Sequence, residues 1–280
     1  MDDTAPPFIP ARRWVSFAAI FPERITPRMP RSASRTFAFA ALVLPLALGL
    51  AACKASDTPT AAPTGAAIAK IAAPAGKNWA ETFSVTPEGG YLVGNPAAPI
   101  KLIEFGALSC SHCAEFSELG SEKLIGDYVS SGRVSYELRL FMLNQLDVPA
   151  ALLATCGSPD AVIPLAEQFW AWQPNMFKNL QGAGEDQMKA IANLPPEQQF
   201  AAIAKTAGMS EFFAARGIAA DQGAACLASK DKATAFVTQT QQAGEKYGIS
   251  GTPTFYLNGA NVGTHTWETL EPLLQAAGAR

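Results

Sequence analysis

Residues 103–113, Ile-Glu-Phe-Gly-Ala-Leu-Ser-Cys-Ser-His-Cys, constrain the fold more than any other stretch of this chain. The run from Lys101 to Phe105 is short and apolar and reads as a buried central strand. Beyond Cys113 the apolar residues Phe116, Leu119, Leu124, Ile125 and Tyr128 return at roughly helical spacing. A strand passing through a tight loop into a helix puts Cys110 at or near a helix N-terminus. Unpaired backbone N–H groups and the macrodipole favour a thiolate there. Such a cysteine is both a nucleophile and a good leaving group in disulfide exchange.

Three chemistries use two cysteines at this spacing. A zinc site usually needs four ligands, and the chain offers only His112 and His265 with no second Cys-x-x-Cys. A structural disulfide closing so short a loop is an uncommon staple. A redox-active dithiol suits the strand-to-helix setting best.

The 280 residues allow one large domain or two ordinary ones, and 49% hydrophobic content supports a sizeable core. A net charge of −3 provides no basic footprint for nucleic acid. Six Arg fall in residues 1–53 against three acidic residues, leaving the remainder mildly acidic.

Residues 1–28 show no sustained period and read as a mis-called extension, with Met29 as the true start. From 29 to 52 the chain has the order of an export signal: Arg31 and Arg35, then an apolar stretch from Phe37 to Leu50. Leu50-Ala51-Ala52-Cys53 ends it like a bacterial lipobox, which predicts lipid on Cys53, although Ala-Ala also suits ordinary signal cleavage. Residues 53–77 are rich in Ala, Pro and Thr and predict an extended tether with no packed element.

A globular domain is expected over 78–280. Residues 91–93 suggest its first strand, 101–105 the second and 134–142 the third. Helices are expected at 150–156, 162–172, 187–191, 197–207 and 231–247. Strands return at 254–257 and 260–263 across an Asn258-Gly259 hairpin signal, and a helix over 267–277 follows. This order predicts an α/β architecture, a mixed sheet flanked by helices with a helical insertion at about 147–231.

The second informative stretch is Gly251-Thr252-Pro253-Thr254-Phe255. By itself, Pro253 reads as a strand-start proline. Together with Glu104-Phe105, Cys110-Ser111-His112-Cys113, Phe169-Trp170 and Cys226-Leu227-Ala228-Ser229, it resembles the DsbA-like thiol:disulfide oxidoreductases. That resemblance spans about 78–280 and implies a thioredoxin fold with an inserted helical domain. By position, Cys110 resembles the exposed nucleophile and Cys113 the buried resolving thiol. His112 resembles the residue whose imidazole lowers the nucleophile's pKa. Glu104 resembles the buried acid that exchanges a proton with Cys113, its own pKa raised by burial. Thr252-Pro253 resembles the substrate-binding cis-proline loop. Ser111 stands where proline is frequent, and threonine before the proline is shared with isomerases.

Cys156 and Cys226 are left over, and two such thiols in an exported protein usually pair. Some alphaproteobacterial members of the family carry a second, non-catalytic disulfide in this region, which implies a Cys156–Cys226 bond. Two buried free cysteines are the alternative. Phe169-Trp170-Ala171-Trp172 reads as helix core or as part of an apolar substrate groove.

Together, the export signal with its lipobox-like end and the resemblance predict a periplasmic, lipid-tethered, monomeric enzyme that introduces disulfides into unfolded or folding exported proteins. A membrane redox partner would reset it, and no metal or organic cofactor is implied. The competing expectations are an isomerase or reductase kept reduced by a membrane partner, and a non-catalytic chaperone or binding lipoprotein.

Overall fold

The structure, a computed structural model, describes residues 64–280. The readings made on 1–28, on the signal 29–52 and on Cys53 lie outside the described residues. Six strands form one sheet: β1 (Phe83–Val85), β2 (Tyr91–Gly94), β3 (Ile100–Gly106), β4 (Val134–Leu140), β5 (Thr254–Leu257) and β6 (Ala260–Gly263). Their order is β1-β2-β4-β3-β5-β6. The short β1 precedes the strand expected first. Its three residues lie at the sheet edge and leave Val85 exposed, so they carry no buried alternation to read.

β3 lies between β4 and β5, which is why its sequence is a nearly unbroken apolar run. Its pairing with β4 is parallel, from Ile100↔Val134 to Gly106↔Leu140, and needs a crossover. That crossover is α1 (Ser111–Lys123), continued by a π-helical turn over Leu124–Val129. The Asn258-Gly259 hairpin forms as expected, with φ of 50° and 83° at its two positions. Then α8 (Trp267–Leu274) packs on α1, where Trp267 lies against Phe116 and Tyr128.

The helical block contains α2 (Asp147–Ala154), α3 (Val162–Ala192), α4 (Pro196–Thr206), α5 (Met209–Ala214), α6 (Ala220–Leu227) and α7 (Lys230–Tyr247). The expected helices 162–172 and 187–191 both form within α3, which runs past Pro174 and breaks into two helices at Gly184 (φ 75°, ψ 171°). The sequence reading missed α5 and α6. They are short, and α5 is held by tertiary contacts, with Phe213 stacked on Phe169 and Phe212 edge-on to it. Phe169 and Trp170 are therefore core residues. A Cys156–Cys226 disulfide joins the end of α2 to α6, as the resemblance implied.

The expected tether is docked over its last part. Gly65 N–H donates to Ala276 O (2.8 Å), Ile68 N–H to Gly278 O (2.9 Å) and Ile71 N–H to Ser131 O (2.9 Å). Trp79 Nε1 donates to Ile71 O, and Arg280 Nη2 to Gly65 O. The strap passes so close to Gly132 that a Cβ there would lie 2.3 Å from Ile71 O. Residues 64–77 form no helix or strand, as the composition suggested, and turn at 75–76, but the packed unit begins before Asn78. Every residue but proline carries a backbone N–H donor and every residue a carbonyl acceptor, so an Ala/Pro/Thr composition does not reveal such docking.

Candidate active site

β3 ends at Gly106 and the chain turns through Ala107–Cys110, with Cys110 N–H donating to Ala107 O (3.1 Å). Cys110 is the N-cap of α1, and its Sγ accepts from Cys113 N–H at 3.1 Å. Both thiols are free. On the other side stands the Thr252–Pro253 bond, which is cis, and Cys110 Sγ donates to Thr252 O at 3.3 Å. The dithiol, the buried acid and the proline loop thus converge from β3, α1 and the start of β5.

Cys110 differs from expectation in one respect. It is only 6% exposed, while Cys113 is 0% exposed. The loop before α1 is sunk between the insertion and the proline loop, so Cys110 is the more accessible thiol of two buried ones.

The two thiols are driven apart electrostatically. Cys110 is lowered to about 6, first by the Cys113 thiol donating to it, and further by the Thr252 hydroxyl and the backbone N–H groups of Cys113 and His112; burial opposes this. Burial pushes Cys113 well up, and the Cys110 and Glu104 charges add to that. The ring of His112 is exposed, and what it gives Cys110 is its backbone N–H in the first turn of α1. The stabilisation of Cys110 thus comes first from the Cys113 thiol, then from the Thr252 hydroxyl and the peptide N–H groups of Cys113 and His112.

Glu104 is fully buried. Its Oε2 accepts from Tyr136 OH at 2.8 Å, and its Oε1 has no partner. Burial raises its pKa to about 8, with the Cys110 and Glu167 charges adding to the effect. The proton therefore belongs on Oε1 at neutral pH. Thr252 Oγ1 is likewise buried without a well-placed partner while Cys110 is a thiol. Ionised Cys110 gives that hydroxyl an acceptor.

Sequence reasoning missed Asp147. This fully buried carboxylate accepts from Ser109 N–H (2.8 Å), Ser109 Oγ (3.0 Å), Leu143 N–H (3.0 Å) and Asn144 N–H (3.0 Å). Burial raises its pKa against those four donors. The only local signal was an acidic residue in the first turn of α2, which on its own marks a helix start. Among the described residues, no group of three or more His, Cys, Asp or Glu side chains could hold a metal ion.

The family model described as thioredoxin matches residues 86–276. A structure named protein-disulfide isomerase from Novosphingobium aromaticivorans is 31% identical, with a TM-score of 0.63, and the match covers 66% of this chain and 95% of that one. Wolbachia pipientis alpha-DsbA1 is 19% identical with a TM-score of 0.51, over 69% of this chain and 93% of that one, and shares the fold. A Rickettsia conorii protein provisionally named protein-disulfide oxidoreductase is 23% identical over 204 residues. That match covers 70% of this chain and 62% of the relative's length.

The chain belongs to the thioredoxin family, with a helical block inserted between β4 and β5.

Proposed function

We propose that the protein is a thiol:disulfide oxidoreductase of the cell envelope that introduces disulfides into exported proteins. A substrate thiolate attacks Cys110 Sγ of the oxidised pair, and Cys113 leaves and takes up a proton. A second substrate thiolate then attacks the substrate sulfur of the mixed disulfide, releasing Cys110 as a thiolate and leaving the pair reduced. The observation that carries this reading is the divergence of the thiols: Cys110 at the N-cap of α1 is held down to about 6, while buried Cys113 is pushed up. A stabilised Cys110 thiolate favours the reduced pair and makes the disulfide oxidising. Protonated Glu104 is the proton source for departing Cys113, and Thr252-Pro253 receives the substrate backbone.

Lipid on Cys53 holding the domain at a membrane surface in the periplasm belongs to the same proposal, as do a membrane partner that reoxidises the pair and a monomeric state. Its support is the order of charges and apolar residues over 29–53.

A second reading, an isomerase or reductase kept reduced, is favoured by Thr252 before the proline and by the name of the 31% identical structure. Equilibrating the Cys110/Cys113 couple with glutathione buffers separates the two. A potential near the DsbA end of the range (about −120 mV) supports the oxidase, and one near thioredoxin (about −270 mV) replaces it with the second reading. Absence of exchange by wild type, with Cys110→Ser equally inert, would leave a binding protein.

A further inference from the structure

The loop before α1 has its polar groups held from outside, by the insertion. Trp170 Nε1 donates to Ala107 O at 2.9 Å. Gln173 Nε2 donates to Leu108 O at 2.8 Å and to Cys110 O at 3.1 Å. Asp147 takes the N–H and hydroxyl of Ser109, whose oxygen also accepts from Asn144 Nδ2 at 2.7 Å. Trp170 and Gln173 stand three residues apart on α3 and so share a face. Gln173 is 3% exposed. A buried primary amide is costly unless it is bonded, and this one directs its donors to the peptide groups flanking Ser109 and to the N-cap peptide.

We propose that Gln173 is a positioning residue for the dithiol: its amide fixes the carbonyls of Leu108 and Cys110, and so fixes Cys110 Sγ against the first N–H groups of α1. This inference deepens the redox reading of Cys110 and Cys113 and rests on it. Gln173 forms no bond to either sulfur. Its effect passes through the backbone of Cys110, which it holds at the N-cap conformation (φ −80°, ψ 119°) that places Sγ 3.1 Å from Cys113 N. Ala114 N–H also donates to Cys110 O, so without Gln173 the helix bond persists while Leu108 O loses its donor. The loop then gains freedom at the residues that set the thiolate's surroundings. Helix α1 needs no such support to form. The insertion therefore helps to set the chemistry of the dithiol from behind, besides covering one side of it.

The test uses the full chain with Gln173→Met, which keeps length and apolar volume and removes both donors, and Trp170→Phe, which keeps a ring and removes one. Thiolate absorbance near 240 nm against pH and equilibration with glutathione are read for each. In Gln173→Met the Cys110 titration moves up towards the ordinary thiol range. The glutathione equilibrium constant shifts about tenfold towards a less oxidising disulfide, roughly 30 mV. Trp170→Phe moves both in the same direction and by less. A purely structural role would lower the melting temperature of both variants while the titration and the equilibrium constant stay at wild-type values, and that result overturns the inference. If Gln173→Met does not fold, Trp170→Phe decides by the same two readouts. Wild type lacking any exchange would instead overturn the redox reading on which the inference stands.

Discussion

Replacing Glu104 by glutamine converts a buried acid into a neutral side chain of the same shape and exposes what burial costs. The wild-type carboxyl has Oε2 on Tyr136 OH and Oε1 without a partner, and its pKa rises from an ordinary 4.5 to about 8. Because the folded pKa lies above the unfolded one, folding favours the protonated form. The wild type is unpenalised below the ordinary carboxyl range and loses stability as pH climbs from 4.5 to about 8. At 1.36 kcal/mol per unit, the penalty accumulated between about pH 5 and pH 9 is roughly 4 kcal/mol. The glutamine side chain does not ionise, so the variant's own curve lacks that loss. It retains an acceptor for Tyr136 and, like the protonated carboxyl, leaves a donor in the unpartnered position. The variant thus differs little from the wild type at pH 5 and is the more stable protein at pH 9. Urea unfolding of the reduced proteins across that range measures the difference. Parallel stability curves would show that Glu104 does not titrate in this window and would remove it as a proton source for Cys113.

Two further outcomes follow from the geometry. Thr252→Val removes the one buried hydroxyl able to support the Cys110 thiolate while preserving shape, so the Cys110 titration moves above about 6, read by thiolate absorbance; an unmoved titration refutes that role. The disulfide spans a sequence separation of 70, so the double substitution Cys156→Ala, Cys226→Ala lowers stability by about 2–4 kcal/mol; unchanged thermal unfolding of the oxidised protein would refute this.

The parts legible in the sequence are those encoded by local pattern. The apolar run of β3, the helical recurrence after Cys113, the Asn258-Gly259 turn and the long α7 all declare themselves within a dozen or so residues. The parts that were not legible depend on partners far along the chain. Asp147 meets Ser109 across 38 positions, and Gln173 meets Leu108 across 65. Nothing local distinguishes Asp147 from a helix-start acid or Gln173 from a surface glutamine. The low exposure of Cys110 has the same origin, because the groups around it come from α3 and the Thr252–Pro253 loop. The helix N-terminus was legible as a thiolate site, whereas the largest stabilising contacts on Cys110, the Cys113 thiol and the Thr252 hydroxyl, depend on how the dithiol loop closes and on a residue 142 positions away.

The docked strap also gives the domain a definite polarity. Ile71 is bonded to Ser131, just before β4, and Cys110 lies beyond the far end of β3, which runs parallel to β4. Seven strand residues separate those ends, about 20 Å, and the loops add to the distance. The docked residues 65–71 therefore lie at the pole away from the dithiol. The redox face is left clear of the strap, so the backbone bonds that seat residues 65–71 and the reacting sulfur occupy opposite ends of the sheet.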